Sequence, residues 1–375
     1  APAARSGGRA GAGAGRGVGA GAGAGGGTGG VGGESGTGMG TGGLGGGAGS
    51  AGPPATEIVY VSGFGPEITI FRLETQTGAL TKLSSASGVT SPAYMAFAPD
   101  HKFAYATNVV SDASNSTVTA FSIEPDGKLT LLNSARTGGT RAPHIAVHPS
   151  GKWIAAPHFV SGDTSVLAVA EDGRVSAGGT PDKGPNNGCM NAHQAVFDRS
   201  GQYLLVPCLG SDYVIQYKFD QGKLSYNDPP TVPIAGGPRH LAFDPLEQYV
   251  YVLSETDSLL TSFKYDATKG TLSEPQTIDS YERTRGFSAH IVVHPNGKWI
   301  YASNRTENSI GLFSIDPAGR PQPVTFTRDQ IDTPRDFSVD PSGNWLISAN
   351  QNGDQNALVF QIAPADGRLT LKTTA

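Results

Sequence analysis

The sequence has little of what several protein classes need. Two cysteines in 375 residues are too few, and wrongly spaced, for a structural zinc site. No stretch approaches the roughly 20 apolar residues that span a bilayer, and the start shows no charged segment followed by an apolar one. The net charge is -5 and there is no long basic run, so nothing favours binding to nucleic acid. We therefore expect no membrane span, no nucleic-acid partner and no metal or other cofactor.

Helical periodicity is missing as well. No stretch repeats apolar residues at helical spacing over the length of a helix, which argues against alternating strands and helices. A hairpin pattern recurs instead, with a short apolar run, a tight turn and a second apolar run. Its six copies are "SPAYMAFAPDHKFAYATN", "APHIAVHPSGKWIAAPH", "NAHQAVFDRSGQYLLVPC", "PRHLAFDPLEQYVYVLSE", "SAHIVVHPNGKWIYASNR" and "TPRDFSVDPSGNWLISAN".

The hairpins are regularly spaced. The second turn residue of each copy serves as its marker, and the markers are Pro99, Pro149, Arg199, Pro245, Pro295 and Pro341. They lie 50, 50, 46, 50 and 46 positions apart. A period of this size indicates a repeat protein.

Each hairpin is followed by two further strand-like runs, for example "NSIGLFSID" and "PQPVTFT". Four short antiparallel strands per unit, repeated around an axis, are typical of a β-propeller. Residues 58–88 supply three strands of a seventh unit, so the sequence predicts an all-β, seven-bladed β-propeller of four-stranded antiparallel blades. The chain stops at "GRLTLKTTA", which reads as the outermost strand of blade seven. Either the ring therefore lacks the innermost strand of blade one, or residues 55–58 or a C-terminal piece supply it.

Residues 1–54 differ in composition from residues 55–375. The first segment is rich in glycine with almost nothing apolar to bury, so we expect a disordered low-complexity linker. A GxGxxG within it has no strand before it and no helix after it, which argues against a phosphate-binding loop. Residues 55–375 form the predicted propeller domain, which we expect to be a monomer. A Gly-rich tether beginning "APAA" favours a cell-envelope or secreted protein, with a cytoplasmic protein as the alternative.

Cys189 and Cys208 lie in the same repeat. If residues 192–197 pair with residues 203–207 as a hairpin, both cysteines fall near its open end. Two alternatives remain, a disulfide bond and a pair of buried thiols.

Equivalent positions of the repeats share one location around the propeller axis. The positions six and five before the marker begin the innermost strand, and they hold Ala93, Pro143, His193, Arg239, Ala289 and Arg335, then Tyr94, His144, Gln194, His240, His290 and Asp336. The positions nine and ten after the marker end the second strand at the same mouth, and they hold Asn108, His158, Cys208, Ser254, Asn304 and Asn350, then Val109, Phe159, Leu209, Glu255, Arg305 and Gln351.

These four rows contain five histidines, three arginines and one glutamate. Charged side chains rarely go inside unless they are paired, so the set predicts an anion-binding or catalytic pocket at one mouth of the channel. The alternative is that polar residues here only cap strands or bind channel water, and for the asparagines we prefer that interpretation.

The chain resembles the lactonase family of seven-bladed propellers, which includes 6-phosphogluconolactonases of the cycloisomerase type and a muconate-lactonising enzyme. The segments that carry the resemblance are "GCMNAHQAVFDRSGQYLLVP", "GGPRHLAFDPLEQYVYVLSE", "SAHIVVHPNGKWIYASNR" and "TPRDFSVDPSGNWLISANQ". The resemblance implies a lactonase whose active-site residues fall on His193, Arg239, Glu255 and Arg305. All four belong to the rows that meet at one mouth.

Hydrolysis of an anionic sugar lactone such as 6-phosphogluconolactone, without a metal, fits these residues. His193 or Glu255 would act as general base on water, with the other orienting it. Arg239 and Arg305 would hold a substrate carboxylate or phosphate and stabilise the developing oxyanion. The remaining candidates, which we expect to bind substrate, are His144, His240, His290 and Arg335.

Two other functions use the same rows. The same acid and base could close a muconate carboxylate onto its double bond, which would make the protein a lactone-forming cycloisomerase. A non-catalytic binding propeller would not need the charged mouth, and the repeats show neither the Trp-Asp dipeptide nor the regular Gly-Gly doublets of common binding propellers. A calcium cage would need more carboxylates than Glu255 and Asp336, which are the two that the rows provide.

Overall fold

The computed structural model describes residues 20–25, 55–109, 116–185, 188–352 and 357–375. These residues form seven separate antiparallel sheets, and one short 3-10 helix, Leu209–Ser211, lies within the fourth. Because every strand pair is antiparallel and the sheets follow one another along the chain, each sheet is one blade.

The strands of the first four blades vary in length from 2 to 11 residues. In chain order they are β1 (Ala20–Gly25), β2 (Thr56–Gly63), β3 (Ile68–Glu74) and β4 (Leu80–Ala86); β5 (Met95–Phe97), β6 (Phe103–Asn108), β7 (Thr117–Ile123) and β8 (Leu129–Arg136); β9 (Ala146–Val147), β10 (Trp153–Pro157) and β11 (Thr164–Ala168); β12 (Val196–Phe197), β13 (Tyr203–Cys208), β14 (Tyr213–Asp220) and β15 (Lys223–Pro233).

The last three blades are the most regular. Their strands are β16 (Pro238–Phe243), β17 (Tyr249–Ser254), β18 (Leu259–Asp266) and β19 (Thr271–Asp279); β20 (Ser288–Val293), β21 (Trp299–Asn304), β22 (Ser309–Ile315) and β23 (Pro321–Thr327); β24 (Pro334–Val339), β25 (Trp345–Asn350), β26 (Ala357–Ile362) and β27 (Leu369–Thr374).

This architecture confirms the predicted seven-bladed all-β propeller. Each of the six hairpins forms the first two strands of a blade, and residues 369–374 form the outermost strand of blade seven as expected. Blade three departs from the four-stranded rule, because its sheet has three strands. Two isolated bridges, Val169 to Val175 and Thr164 to Asp182, take the place of its outermost strand.

The innermost strand of blade one comes from the Gly-rich segment. Residues 20–25 pair antiparallel with β2, in a register that runs from Ala20 opposite Gly63 to Gly25 opposite Ile58. None of the sources considered from the sequence is correct, since residues 55–58 mostly belong to β2 and the C-terminal strand stays in blade seven. The expected unpaired linker therefore does not include these six residues. The rest of residues 1–54 lies outside the described residues, and the domain boundary at residue 55 remains a prediction.

Adjacent blades meet through one repeated contact. A bulky side chain near the start of each second strand packs on a glycine in the outer turn of the next blade. The seven pairs are Trp345 with Gly78, Ile58 with Gly127, Phe103 with Gly173, Trp153 with Gly222, Tyr203 with Gly270, Tyr249 with Gly319 and Trp299 with Gly367. A Cβ on any of these glycines would overlap or crowd the packed side chain, so each contact requires a residue without one.

The ring closes between blade seven and blade one by packing. Trp345 is buried with Val59, Phe71 and Leu73 of blade one, and its indole N–H donates to the carbonyl of Thr75 at 2.8 Å. Among the described strands, none is exchanged between the two blades. Within the described residues this seam therefore depends on packing and on hydrogen bonds such as that of Trp345, and not on strand pairing.

Replacing Gly78 with alanine tests the seam. Gly78 has φ +75, where an alanine is strained, and its Cβ would overlap the Trp345 ring. We expect Gly78→Ala to lower the free energy of unfolding by about 2 to 4 kcal/mol, measured by thermal and denaturant unfolding. Gly65→Ala is the matched control, because a Cβ there meets nothing within 4 Å. Equal stability of the two variants would show that the seam does not need this contact.

Candidate active site

A repeated hydrogen bond places side chains at one mouth of the channel. The residue ten positions after each marker donates its backbone N–H to the carbonyl of the residue eight positions before the same marker, at 2.7 to 3.2 Å. The donor and acceptor pairs are Val109 and Ser91, Phe159 and Arg141, Leu209 and Asn191, Glu255 and Gly237, Arg305 and Phe287, and Gln351 and Thr333. This bond closes the open end of every hairpin and places Glu255 and Arg305 on the same rim.

The acceptors of these bonds share an unusual backbone. All six have positive φ, between 51 and 72, and five of them are not glycine. Left-handed backbone at non-glycine residues costs free energy and is concentrated at functional sites. All six blades that carry a marker therefore have a left-handed residue at this mouth, and in five of them it is not glycine.

The residues nine positions after the markers hold the loop that leads into each innermost strand. Asn304 donates to the carbonyl of Ser280 at 2.7 Å, and Ser254 donates to the carbonyl of Ala235 at 2.8 Å. In blade four the tie is covalent, because Cys208 is bonded to Cys189 with an S–S distance of 2.04 Å. The structure thus resolves the two alternatives for the cysteines in favour of a disulfide, and this row is structural.

The other rows surround one cavity that opens to solvent. One wall is apolar and consists of Phe64, Ala93, Tyr94, Val109, Pro143 and Phe159. The other is polar and consists of Arg141, His193, Arg239, His240, Glu255, Arg335 and Asp336. Five of the candidates from the sequence, His193, Arg239, His240, Glu255 and Arg335, therefore line this cavity together.

The remaining three candidates lie next to this lining. Arg305 contacts Glu255, His290 contacts His240, and His144 stacks beneath Tyr94 with ring centroids 3.9 Å apart. The fifth histidine of the rows, His158, is bound to Asp163 instead, with a distance of 2.7 Å between Nδ1 and Oδ1. It belongs to the structural row.

Glu255 is held between two arginines. Its Oε2 lies 2.8 Å from Nε of Arg239, and its Oε1 lies 3.0 Å from an Nη of Arg305. Arg239 also donates to the carbonyl of Ala289, and Arg305 donates through Nε to the carbonyl of Phe287 at 3.1 Å. Burial lowers the pKa of Arg239, and the charge of Glu255 opposes this shift. Charge-assisted pairs of this kind fix geometry, so the glutamate orients both guanidinium groups.

A chain of hydrogen bonds runs behind Arg239. Its guanidinium lies 3.3 Å from Nδ1 of His240, and that nitrogen lies 2.8 Å from Nδ1 of His290. Since a guanidinium only donates, Nδ1 of His240 accepts, and Nδ1 of His290 carries a hydrogen. Nε2 of His290 is then an acceptor, 3.4 Å from Oδ1 of Asp336. Two unprotonated acceptors repel each other, so this contact favours the neutral form of Asp336.

The protonation states agree with this pattern. Burial raises the pKa of Asp336 to about 7, against the lowering effect of Arg239 and Arg335. Burial, followed by the charge of Arg239, lowers the pKa of His290 to about 3. The chain therefore combines an acid whose charged form is disfavoured by burial with two neutral imidazoles, next to one buried cation.

His193 is neutral for similar reasons. Burial, followed by the charges of Arg239 and the other pocket arginines, lowers its pKa well below the usual range. Its ring packs edge-on against Phe159 and His240, with centroids 5.7 and 5.1 Å away. Its Nδ1 is buried and has no hydrogen-bond partner in the described part of the chain. Nε2 is therefore the ring nitrogen left to meet a ligand.

Two lining residues, Phe64 and Arg141, lie outside the four rows that were aligned from the sequence. Arg141 belongs to the row eight before the marker, so extending the alignment by two positions would have found it. Phe64 directly follows β2, as the residues ten after the marker follow the second strands of other blades. No marker is recognisable in blade one, which is why this residue carried no signal.

The described residues contain neither a metal cluster nor a membrane helix. No group of three or more His, Cys, Asp or Glu side chains in the described ranges is arranged to hold a metal ion. None of the same residues forms a helix long and apolar enough to cross a bilayer.

The fold and the site define a seven-bladed propeller with a cationic pocket at one mouth. A family model described as Lactonase, 7-bladed beta-propeller matches residues 58–375. The chain belongs to this lactonase family.

Several relatives carry a more specific name. The 6-phosphogluconolactonase of Bacillus subtilis (strain 168) is 28% identical over 325 residues, which cover 83% of this chain and 92% of the relative. The 6-phosphogluconolactonase of Serratia proteamaculans (strain 568) is 30% identical, covering 84% of this chain and 94% of the relative. The periplasmic gluconolactonase of Pseudomonas aeruginosa has the same fold, with a TM-score of 0.76 at 23% identity over 84% of this chain and 92% of that one.

The hydrogen-bond chain predicts how Asp336→Asn changes stability with pH. Because the pKa of Asp336 is raised from 3.8 to about 7, the folded protein keeps a proton there that the unfolded chain releases. The contribution of this group to stability is complete below about pH 4 and is lost as the pH rises through about 7. An asparagine does not ionise and still donates to His290. We therefore expect the melting temperature of Asp336→Asn to rise relative to wild type between pH 4 and pH 8.

Asp336→Ala is the control for this measurement, because it removes the donor at every pH. Its melting temperature should lie below that of Asp336→Asn throughout. A difference between Asp336→Asn and wild type that stays constant with pH would contradict a protonated Asp336.

Proposed function

We propose that the protein hydrolyses an anionic sugar lactone of the 6-phosphogluconolactone type. The observation that carries the proposal is the Arg239–Glu255–Arg305 cluster beside neutral His193 in one solvent-open cavity. Family membership and the names of the relatives support the same reaction class.

His193 is the proposed general base. Both carboxylate oxygens of Glu255 are occupied by arginines, so the glutamate is better suited to orient them than to accept a proton. A neutral imidazole has a free nitrogen that can take a proton from water as the water oxygen bonds to the lactone carbonyl carbon. Negative charge then develops on the carbonyl oxygen, and donors from Arg239 and Arg305 stabilise it.

The same imidazole completes the reaction. The bond between the carbonyl carbon and the ring oxygen breaks, and the leaving ring oxygen takes the proton back from protonated His193. Burial and the surrounding arginines disfavour the charged imidazole, so they favour this return of the proton. The product is the open hydroxy acid, and the histidine is neutral again.

Location and assembly are part of the proposal. We propose that the protein is exported and acts in the cell envelope or outside the cell as a monomer. The Cys189–Cys208 disulfide supports an oxidising compartment, and one protein of the same fold is a periplasmic gluconolactonase. Fractionation of the native host distinguishes an exported protein from a cytoplasmic one. Thiol labelling of the isolated protein distinguishes the disulfide from two reduced cysteines. Gel filtration distinguishes a monomer from an oligomer.

A lactone panel with two active-site variants tests the function. Wild type should hydrolyse 6-phosphogluconolactone faster than muconolactones, with the same rate in the presence of EDTA. Glu255→Gln and His193→Asn should each lower kcat/KM by about 100-fold or more, because one loses the arginine clamp and the other the base. The assay is release of acid at constant pH, after circular dichroism confirms folding.

His101→Asn is the matched control. His101 lies in a hairpin turn at the opposite end of blade two with φ 55, a conformation that asparagine adopts readily. The His101→Asn variant should keep the wild-type kcat/KM. Absence of hydrolysis for every lactone would refute the proposed function, whereas a silent His193→Asn with an inactive Glu255→Gln would move the role of base to Glu255.

A further inference from the structure

The pocket contains two kinds of arginine. Arg239 and Arg305 form ion pairs with Glu255. Arg141 and Arg335 line the same cavity, and neither forms an ion pair with any residue in the described ranges. The side-chain hydrogen bond found for Arg335 goes to the neutral amide of Gln351, at 3.3 Å. Two cationic groups therefore face the cavity without a carboxylate of their own.

Each of these two arginines rests on an aromatic ring. The guanidinium carbon of Arg141 lies 5.5 Å from the ring centroid of Phe159, and that of Arg335 lies 5.5 Å from the ring centroid of Phe64. A cation over a ring is held in place without using its N–H groups. Both guanidinium groups are therefore positioned while most of their N–H donors, all but the one that Arg335 gives to Gln351, stay available to a ligand.

The two arginines face the same cavity from opposite sides of the propeller, since Arg141 precedes blade three and Arg335 begins blade seven. Burial lowers the pKa of Arg335 to about 10, and the charges of Arg305 and Arg141 add to this effect. The positive charges thus repel one another across the cavity. An anion between them would relieve the repulsion and satisfy the free donors.

We propose that Arg141 and Arg335 form a second anion subsite, separate from the Glu255 clamp, which takes the phosphate or distal carboxylate of the lactone. The inference rests on the proposed lactonase function and specifies its substrate as a lactone with an anionic group away from the reacting carbonyl. The anionic group of the substrate is then bound by Arg141 and Arg335, and not by Arg239 and Arg305 as expected from the sequence. Arg305 and Arg239 remain free to serve the carbonyl oxygen.

The test compares Arg141→Gln and Arg335→Gln with wild type on two substrates, 6-phosphogluconolactone and unphosphorylated gluconolactone. Loss of a charge-assisted hydrogen bond should lower the ratio of the two kcat/KM values by about 10-fold to 100-fold in each variant. Arg174→Gln is the matched control, because Arg174 lies in an outer turn and is paired with Asp172. Muconolactones form a third arm, which distinguishes a carboxylate-binding subsite from a phosphate-binding one.

A binding measurement keeps the subsite testable if no lactone is hydrolysed. Inorganic phosphate is titrated into the full chain by calorimetry. We expect the Kd to rise about 10-fold or more in Arg141→Gln and Arg335→Gln and to stay at the wild-type value in Arg174→Gln. Turnover with an unchanged substrate ratio in both variants would overturn the subsite and leave the lactonase function standing. Equal phosphate affinity of all four proteins would overturn it in the absence of turnover.

Discussion

The contact of a bulky side chain with a glycine of the next blade is the constraint on which the remaining structure depends. It occurs at all seven junctions, and it sets how closely the outer part of each blade approaches its neighbour. Interiors are close-packed, so a fixed approach at every junction also fixes the width of the channel. The rows that end at the mouth can meet around one cavity because the ring has this width.

A repetitive scaffold acquires a site where its repeats differ. The backbone bond that closes each hairpin is the same in six blades, yet the side chains that it positions are apolar in blades two to four and polar in blades five to seven. The cavity therefore has an aromatic side and a charged side. Glu255 is the single carboxylate among the residues ten after the markers, and a buried Arg239 next to it would be costly without that partner.

The sequence predicts the periodic features of this protein well. The spacing of the markers and the alternation within each hairpin are enough for the number of blades, the order of the strands and the convergence of the rows. The prediction fails where a feature has no periodic signal. Ala20–Gly25 is the clearest case, because an alternating Gly-Ala segment has no apolar face that could specify a partner or a register.

Other features depend on geometry that residue types do not carry. Arg141 lines the pocket from a left-handed backbone position, a conformation uncommon for arginine that its residue type does not predict. The raised pKa of Asp336 comes from its burial beside a chain of contacts that begins at Arg239, and no residue type in the sequence shows that burial. The disulfide was one of two possibilities until the distance between the cysteines was known.

The closing seam has a mechanical consequence. At six junctions the polypeptide passes from one blade to the next, so two blades that come apart remain tethered and meet again quickly. Between blades seven and one no such tether exists among the described residues, and the two faces must find each other across a loop that includes the whole ring. The entropy of closing a loop grows with its length. Among the seven junctions, this one therefore has the largest entropic cost of re-forming after it opens, and the packing of Trp345 on blade one offsets part of that cost.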